Sequence, residues 1–173
     1  MTILSDIDIE KLINSKQLEI DPFNHKNLTP NGYDLTIAEI YIKNSDLHID
    51  EGLAIIPPLT WFAISTKEFI KMGSDISSQL WIRSSYARKG ILASFGKVDA
   101  GFHGTLTISC FNSNDIEIEI SINDRFCQIV FEELSSTPSE LYEKKSGNYQ
   151  NQKWDKTTTQ YNWKAIHPSF KIK

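Results

Sequence analysis

TLTISCFNSNDIEIEISI, residues 105–122, is the stretch that decides the fold class. Two runs rich in β-branched residues, 105–111 and 116–122, flank the polar break Asn112-Ser113-Asn114-Asp115. The second run alternates apolar and polar residues strictly. With a side-chain period of two, that pattern buries one face of a strand and wets the other. Asn, Ser and Asp favour the break because their side chains hydrogen-bond nearby backbone. The stretch predicts two short strands joined by a polar turn.

The same signal recurs on both sides of this stretch. Short β-branched and aromatic runs occupy 33–43 (YDLTIAEIYIK), 53–57 (LAIIP), 59–65 (LTWFAIS), 79–83 (QLWIR) and 127–133 (CQIVFEE). Many short strands separated by turn residues indicate an all-β sandwich or barrel. Two helices are expected beside them. Residues 4–15 place Ile7, Ile9, Leu12 and Ile13 near helical spacing behind the N-cap candidate Ser5, with acidic residues in the first turn. Residues 66–72 (TKEFIKM) predict a second, short helix. From residue 135 the chain turns polar, with little apolar periodicity, and reads as an extended arm over 135–173 following a β domain over 1–134. The arm's aromatics, Tyr142, Tyr149, Trp154 and Tyr161, suggest that parts of it dock.

The 173 residues suit a single core, and a net charge of −4 with pI near 5.6 offers no basic face for nucleic acid. Cys110 and Cys127 carry no pairing motif and read as reduced thiols, and no apolar run approaches the ~20 residues that span a bilayer. A cytoplasmic protein without membrane or nucleic-acid partners is therefore expected. Neither a GxxxxGK[ST] loop nor a GxGxxG turn is present, and no HxE accompanies a CxxC, which removes the zinc route to base deamination.

Five patches carry residues suited to chemistry. Arg83-Ser84-Ser85-Tyr86-Ala87-Arg88-Lys89-Gly90 supplies cations and hydroxyls that match phosphate oxygens, although composition alone reads it as a basic surface loop. Val98-Asp99-Ala100-Gly101-Phe102-His103-Gly104 places a carboxylate and an aromatic in a tight turn, where Asp99 is either a general base or a turn stabiliser. The others are Asn123–Ile129, containing Gln128, then Pro30–Leu35, containing Asp34, and Asn148–Gln152 in the arm.

Taken in order, these patches resemble the motifs of the dUTPase and dCTP deaminase superfamily. IRSSYARKG is similar to its GRSSxxR segment, with Ile82 in place of the usual glycine. VDAGFHGTLTISCFN resembles the segment with the essential Asp and the sugar-stacking aromatic, and INDRFCQIVFEEL the GxRixQlvFexl segment. PNGYDLTIA and the N-terminal LSDIDIEKLINSKQLEIDPF resemble the deaminase branch, as does NYQNQ, with Asn148 where lysine is usual. The resemblance implies a distorted jelly roll, a homotrimer with sites between subunits, and an arm closing over a deoxynucleoside triphosphate with Mg²⁺. It also implies roles. Asp99 activates water, and Arg83, Ser84, Ser85, Arg88 and Gln128 hold phosphate. Phe102 stacks on the sugar, Val98 ends a base-reading stretch over 94–98, Tyr149 and Gln152 close from the arm, and Asp34 assists the metal through water.

One departure bears on activity. Deaminases of this family carry a glutamate in the run G-x-x-x-L-E-x-x-N, and here Gly104 to Asn112 places Ser109 at that position. A serine without a neighbouring base cannot relay the proton that deamination needs. The expected activity is dUTP hydrolysis to dUMP and pyrophosphate. The alternatives are a dCTP deaminase, mono- or bifunctional, for which Glu117 or Glu119 on the next strand would be the first candidates to replace the glutamate, and a non-catalytic nucleotide-binding regulator on the same scaffold.

Overall fold

The computed structural model describes residues 2–153, so Trp154, Tyr161 and the rest of the arm beyond Lys153 lie outside the described residues. In chain order the elements are α1 (Asp6–Asn14), β1 (Leu18–Asp21), β2 (Leu28–Thr29), β3 (Gly32–Ile42), β4 (Leu47–Ile49), β5 (Leu53–Ile56), β6 (Trp61–Thr66), β7 (Phe69–Met72) and β8 (Ile76–Ile82). They continue with α2 (Ser84–Ala87), β9 (Ile91–Ser94), β10 (Lys97–Val98), β11 (His103–Gly104), β12 (Thr107–Asn112), β13 (Ile118–Ser121), β14 (Arg125–Glu133) and α3 (Tyr142–Lys145). The protein is mostly β, a distorted jelly roll of curled sheets.

The curl is built around β3. Its first residues, Tyr33–Thr36, pair with β14, and its later residues, Ile37–Ile42, pair with β6. The register shifts on both sides, between Arg125 and Cys127 and between Ile37 and Glu39. Such irregularities bend a strand and increase its twist. The large sheet runs β10-β8-β14-β3-β6-β12-β9 and wraps over a core that includes Tyr33, Leu35, Ile37, Ile40, Phe62, Ile64, Phe126 and Phe131. A three-stranded sheet, β1-β7-β11, and the β13-β5 pair complete it.

Ser5 caps α1 in a reciprocal capping box with Asp8. Only part of the expected apolar face is used: Ile9 is fully buried, whereas Ile7 is exposed. The polar break at 112–115 has a firmer centre than a surface turn. Asn112 is buried, and its amide donates to the carbonyls of Ile56, Pro57 and Ile116.

The helix expected over 66–72 is not formed. Phe69–Met72 is β7, paired with β1 on one side and β11 on the other. Ile70 and Met72 are buried while Lys71 is exposed, the period-two pattern of a strand. Glu68, itself buried, accepts from the Thr36 amide at 2.8 Å and ties the start of β7 to β3. Tertiary pairing overrides the local helix-forming composition.

Candidate active site

A cavity of about 330 Å³ opens on the outer face of the β6-β12 ladder. Residues two apart on a strand share a face, so Trp61 and Ala63 of β6 and Thr107 and Ser109 of β12 form its floor. Trp61 Nε1 donates to Ser109 Oγ at 2.6 Å.

One wall is the turn after β10. Asp99-Ala100-Gly101-Phe102 closes with the Phe102 amide donating to the Asp99 carbonyl at 3.1 Å. Gly101 has φ of 80°, and a Cβ there would meet the Leu141 side chain at 2.8 Å, so both the turn and the close approach of the arm require glycine. Val98 enters the turn buried, paired with Ser78. Asp99 stands exposed at the rim beside exposed Lys97. Lys97 is held by Glu132 at 2.8 Å, and Gln79 donates to the same carboxylate at 2.7 Å.

The arm forms the roof. Tyr142, at the start of the single helical turn α3, meets Phe102 edge to face with ring centroids 5.4 Å apart, a contact worth ~0.5–1.5 kcal/mol beyond its burial. Phe102 lines the cavity but is only 5% exposed, covered from the arm side. Gln150 accepts from the His103 amide and donates to the Gly101 carbonyl, both at 3.0 Å. Gln152 pairs with Gly104 as a short parallel bridge, its carbonyl accepts from the Thr105 amide, and its side chain donates to Thr107 Oγ1 at 2.8 Å. The tail read as an extended arm is thus locally ordered and docks on the cavity, with half-exposed Tyr149 at its edge.

The cavity brings together Val98, Asp99, Phe102, Tyr149, Gln152 and Ser109. It does not bring in the residues expected to hold phosphate. Arg83 lies five residues beyond Ser78, the partner of Val98, which is roughly 16 Å along an extended strand. There a second, polar cluster forms. Arg83 Nε meets Asp34 Oδ2 at 3.0 Å, Arg125 meets the same oxygen at 3.4 Å, and Gln128 donates to Thr29 Oγ1 at 2.6 Å. Ser84 and Ser85 on α2 and Arg88 just after it are exposed, while Tyr86 of α2 is anchored inside against Phe126 and donates to Asp124 at 3.0 Å. The expected basic loop is therefore a helical turn with a buried aromatic root.

Asp34 is a poor direct metal ligand. Burial raises its carboxyl above the ordinary value, and Arg83 and Arg125 draw it partly back. Its outer oxygen is already shared by two guanidinium groups. Among the described residues no group of three or more His, Cys, Asp or Glu side chains could hold a metal ion. The described residues therefore offer no Mg²⁺ cage of their own, and an Mg²⁺ ion here would need ligands such as phosphate oxygens and water.

Among the described residues lining the cavity, Asp99 is the only carboxylate. Glu117 and Glu119, the carboxylates that the alternative deaminase reading would call on, are exposed and away from it: Glu119 pairs with Ile55 on β5. Among the lining residues, Trp61 and Thr107 carried no functional expectation, whereas Lys97 falls within the stretch 94–98 expected to read the base. The alternation of LTWFAIS puts Trp61 and Ala63 on one face, but only the β6-β12 register shows that Ser109 shares it. No helix among the described residues is long and apolar enough to cross a membrane.

Residues 3–134 match a family model described as dCTP deaminase-like. A dCTP deaminase of Pyrococcus horikoshii is 39% identical over 137 residues, covering 78% of this chain and 86% of its own. A probable deoxyuridine 5'-triphosphate nucleotidohydrolase of Sulfolobus islandicus rod-shaped virus 1 is 38% identical over 154 residues, 87% of this chain and 94% of its own. The solved 2'-deoxycytidine 5'-triphosphate deaminase of Agrobacterium tumefaciens superposes with a TM-score of 0.64 at 20% identity, over 75% of this chain and 47% of that one. That likeness is one of fold.

Proposed function

This chain belongs to the dCTP deaminase-like family, and on that premise we propose that it is a dUTP diphosphatase, converting dUTP and water to dUMP and pyrophosphate. The observation that carries the reading is Ser109. It sits on the cavity floor where deaminases of the family hold their glutamate, and its oxygen is engaged by Trp61 rather than by a base.

In this reading Asp99 at the rim takes a proton from water. The water oxygen attacks the α-phosphorus, the bond from that phosphorus to the bridging oxygen breaks, and pyrophosphate leaves. The apolar cavity receives the pyrimidine and sugar, with Phe102 and Val98 on one side and Tyr149 and Gln152 on the other. Arg83, Ser84, Ser85, Arg88 and Gln128 supply the phosphate clamp from a neighbouring copy of the chain, because within one chain they stand apart from Asp99. A homotrimer with sites between subunits meets that requirement. Mg²⁺, if carried in on the triphosphate, would supply charge neutralisation there, while Asp99, Phe102 and the clamp residues orient the nucleotide.

The names of the relatives favour a second reading, dCTP deaminase, since the Pyrococcus protein and several others at similar identity carry that name. The viral relative, which the match covers more fully, is named for dUTP hydrolysis. The chemistry at position 109 is what supports the first reading over the second. Incubating the protein with dUTP or dCTP and Mg²⁺, then measuring pyrophosphate and ammonia, tests it. Pyrophosphate from dUTP without ammonia from dCTP is expected, and ammonia from dCTP overturns the reading.

A further inference from the structure

The cavity floor holds a hydrogen bond that hydrolysis at phosphorus does not use, the one from Trp61 Nε1 to Ser109 Oγ at 2.6 Å. The geometry points to this pair as the reader of the substituent at C4 of the pyrimidine, selecting a carbonyl over an amine. The inference rests on the reading above, that the cavity takes a pyrimidine deoxynucleotide.

Orientation comes first. Asp99 and Lys97 are exposed at the rim, while Ala63, Thr107, Ser109 and Trp61 face the cavity from the sheet. The floor residues lining the cavity carry no charge, and Lys43 stands 5.9 Å over the Trp61 ring from outside that lining, so a triphosphate, which cannot be desolvated there, stays at the rim. The heterocycle is then directed to the floor. Ser109 pairs with Ala63 and Trp61 with Phe111, which puts the indole diagonally across the ladder from the serine on the same face.

Selection follows from the hydrogen-bond inventory. An indole N–H only donates, so Ser109 Oγ is the acceptor in this bond and one of its lone pairs is occupied. Its proton remains to be placed, and among the described residues no acceptor takes it. A carbonyl at C4 receives that proton and completes a chain from indole to hydroxyl to carbonyl, in which each bond polarises the next. An amine brings more donors. Ser109 could meet it only with the second lone pair, leaving its own proton without a partner in a desolvated site. Unpaired polar groups of that kind are what give enzymes steep discrimination between isosteric ligands. A carboxylate at the same position accepts only and would prefer the amine. Serine beside an indole donor therefore inverts the preference of glutamate. Trp61 is a positioning residue: it acts through the hydroxyl that it orients.

The test uses the α,β-imido analogues of dUTP and dCTP, which bind without turnover, in calorimetric titrations of the full chain with Mg²⁺. The wild type should bind the dUTP analogue tighter by at least about tenfold, the size of one unsatisfied polar group. Trp61→Phe keeps the aromatic bulk but lacks the donor, and Ser109→Ala lacks the hydroxyl. Each should bring the ratio of the two affinities close to one, and the double variant should go no further. Ser109→Thr, which retains a hydroxyl, should keep the preference. Thermal melting run alongside verifies that each variant is folded, and the ratio is a quantity that a purely structural role would not move. An unchanged ratio in both single variants, a wild-type preference for the dCTP analogue, or no binding of either overturns the inference. Failure of the hydrolysis reading is distinguishable. In that case wild type would release no pyrophosphate from dUTP, while the binding preference and its dependence on Trp61 persisted.

Discussion

Asp99 and Glu68 show how differently two carboxylates are used in one small domain. Asp99 is exposed at the cavity rim, and the turn it enters is closed by backbone groups. Asp99→Asn should therefore leave thermal stability and nucleotide affinity near wild type and cut pyrophosphate release from dUTP by at least ~10²-fold. Near-normal turnover would remove Asp99 from the chemistry. Glu68 is only 2% exposed, and burial holds its carboxyl above the ordinary value of 4.5, with the Thr36 amide partly offsetting the shift. The sign follows from linkage. The unfolded chain loses its proton first as pH rises through 4.5, so the folded state loses stability from there up to the raised value. Glu68→Gln should flatten that part of the pH profile of the melting temperature while leaving its acid limb in place. An unchanged profile would mean that Glu68 ionises in place at no cost.

Among the elements, strands were legible in the sequence wherever alternation was local. The 105–122 stretch and the runs that became β3, β6 and β14 all appear within two or three residues of their expected bounds. TKEFIKM misled because helix formers there have a strand's fate imposed by β1 and β11. Within the site, Ser109, Asp99 and Phe102 could be found from motif order. Trp61 could not, because its bond to Ser109 spans 48 positions and depends on the β6-β12 register. The arm's docking was likewise visible only as unexplained aromatics. Its attachment can be tested at Gly104, where φ is 155° and a Cβ would come within 3.0 Å of the Gln152 carbonyl and 2.9 Å of the Phe102 ring. Gly104→Ala should push residues 150–152 off the cavity, speed proteolysis in the arm and raise KM for dUTP several-fold, with a smaller change in melting temperature. Unaltered proteolysis would show that the strand absorbs the methyl group without releasing the arm.

For the whole molecule, the separation of the two clusters makes a quantitative demand. If Asp99 of one copy works with Arg88 of another, Asp99→Asn and Arg88→Ala chains, each inactive alone, should complement when co-assembled. With random mixing in equal amounts, about a quarter of the sites would pair an intact Asp99 with an intact Arg88. Pyrophosphate release near that fraction of wild type is the expected outcome, and none at all would place both residues in a site within one chain. The strand β3 bears on a separate matter. Because its first half belongs to the β14 side and its second half to the β6 side, the curled sheet has no seam along which it could open. A tear between the halves would have to break one strand's hydrogen bonds in both directions, so a single melting transition is expected for both, and two resolved transitions in calorimetry would contradict this. The polar cluster around Asp34 near the strand's start and the cavity flanking its far end are thus cut from one piece of cloth, and thermal agitation that loosens one loosens the other.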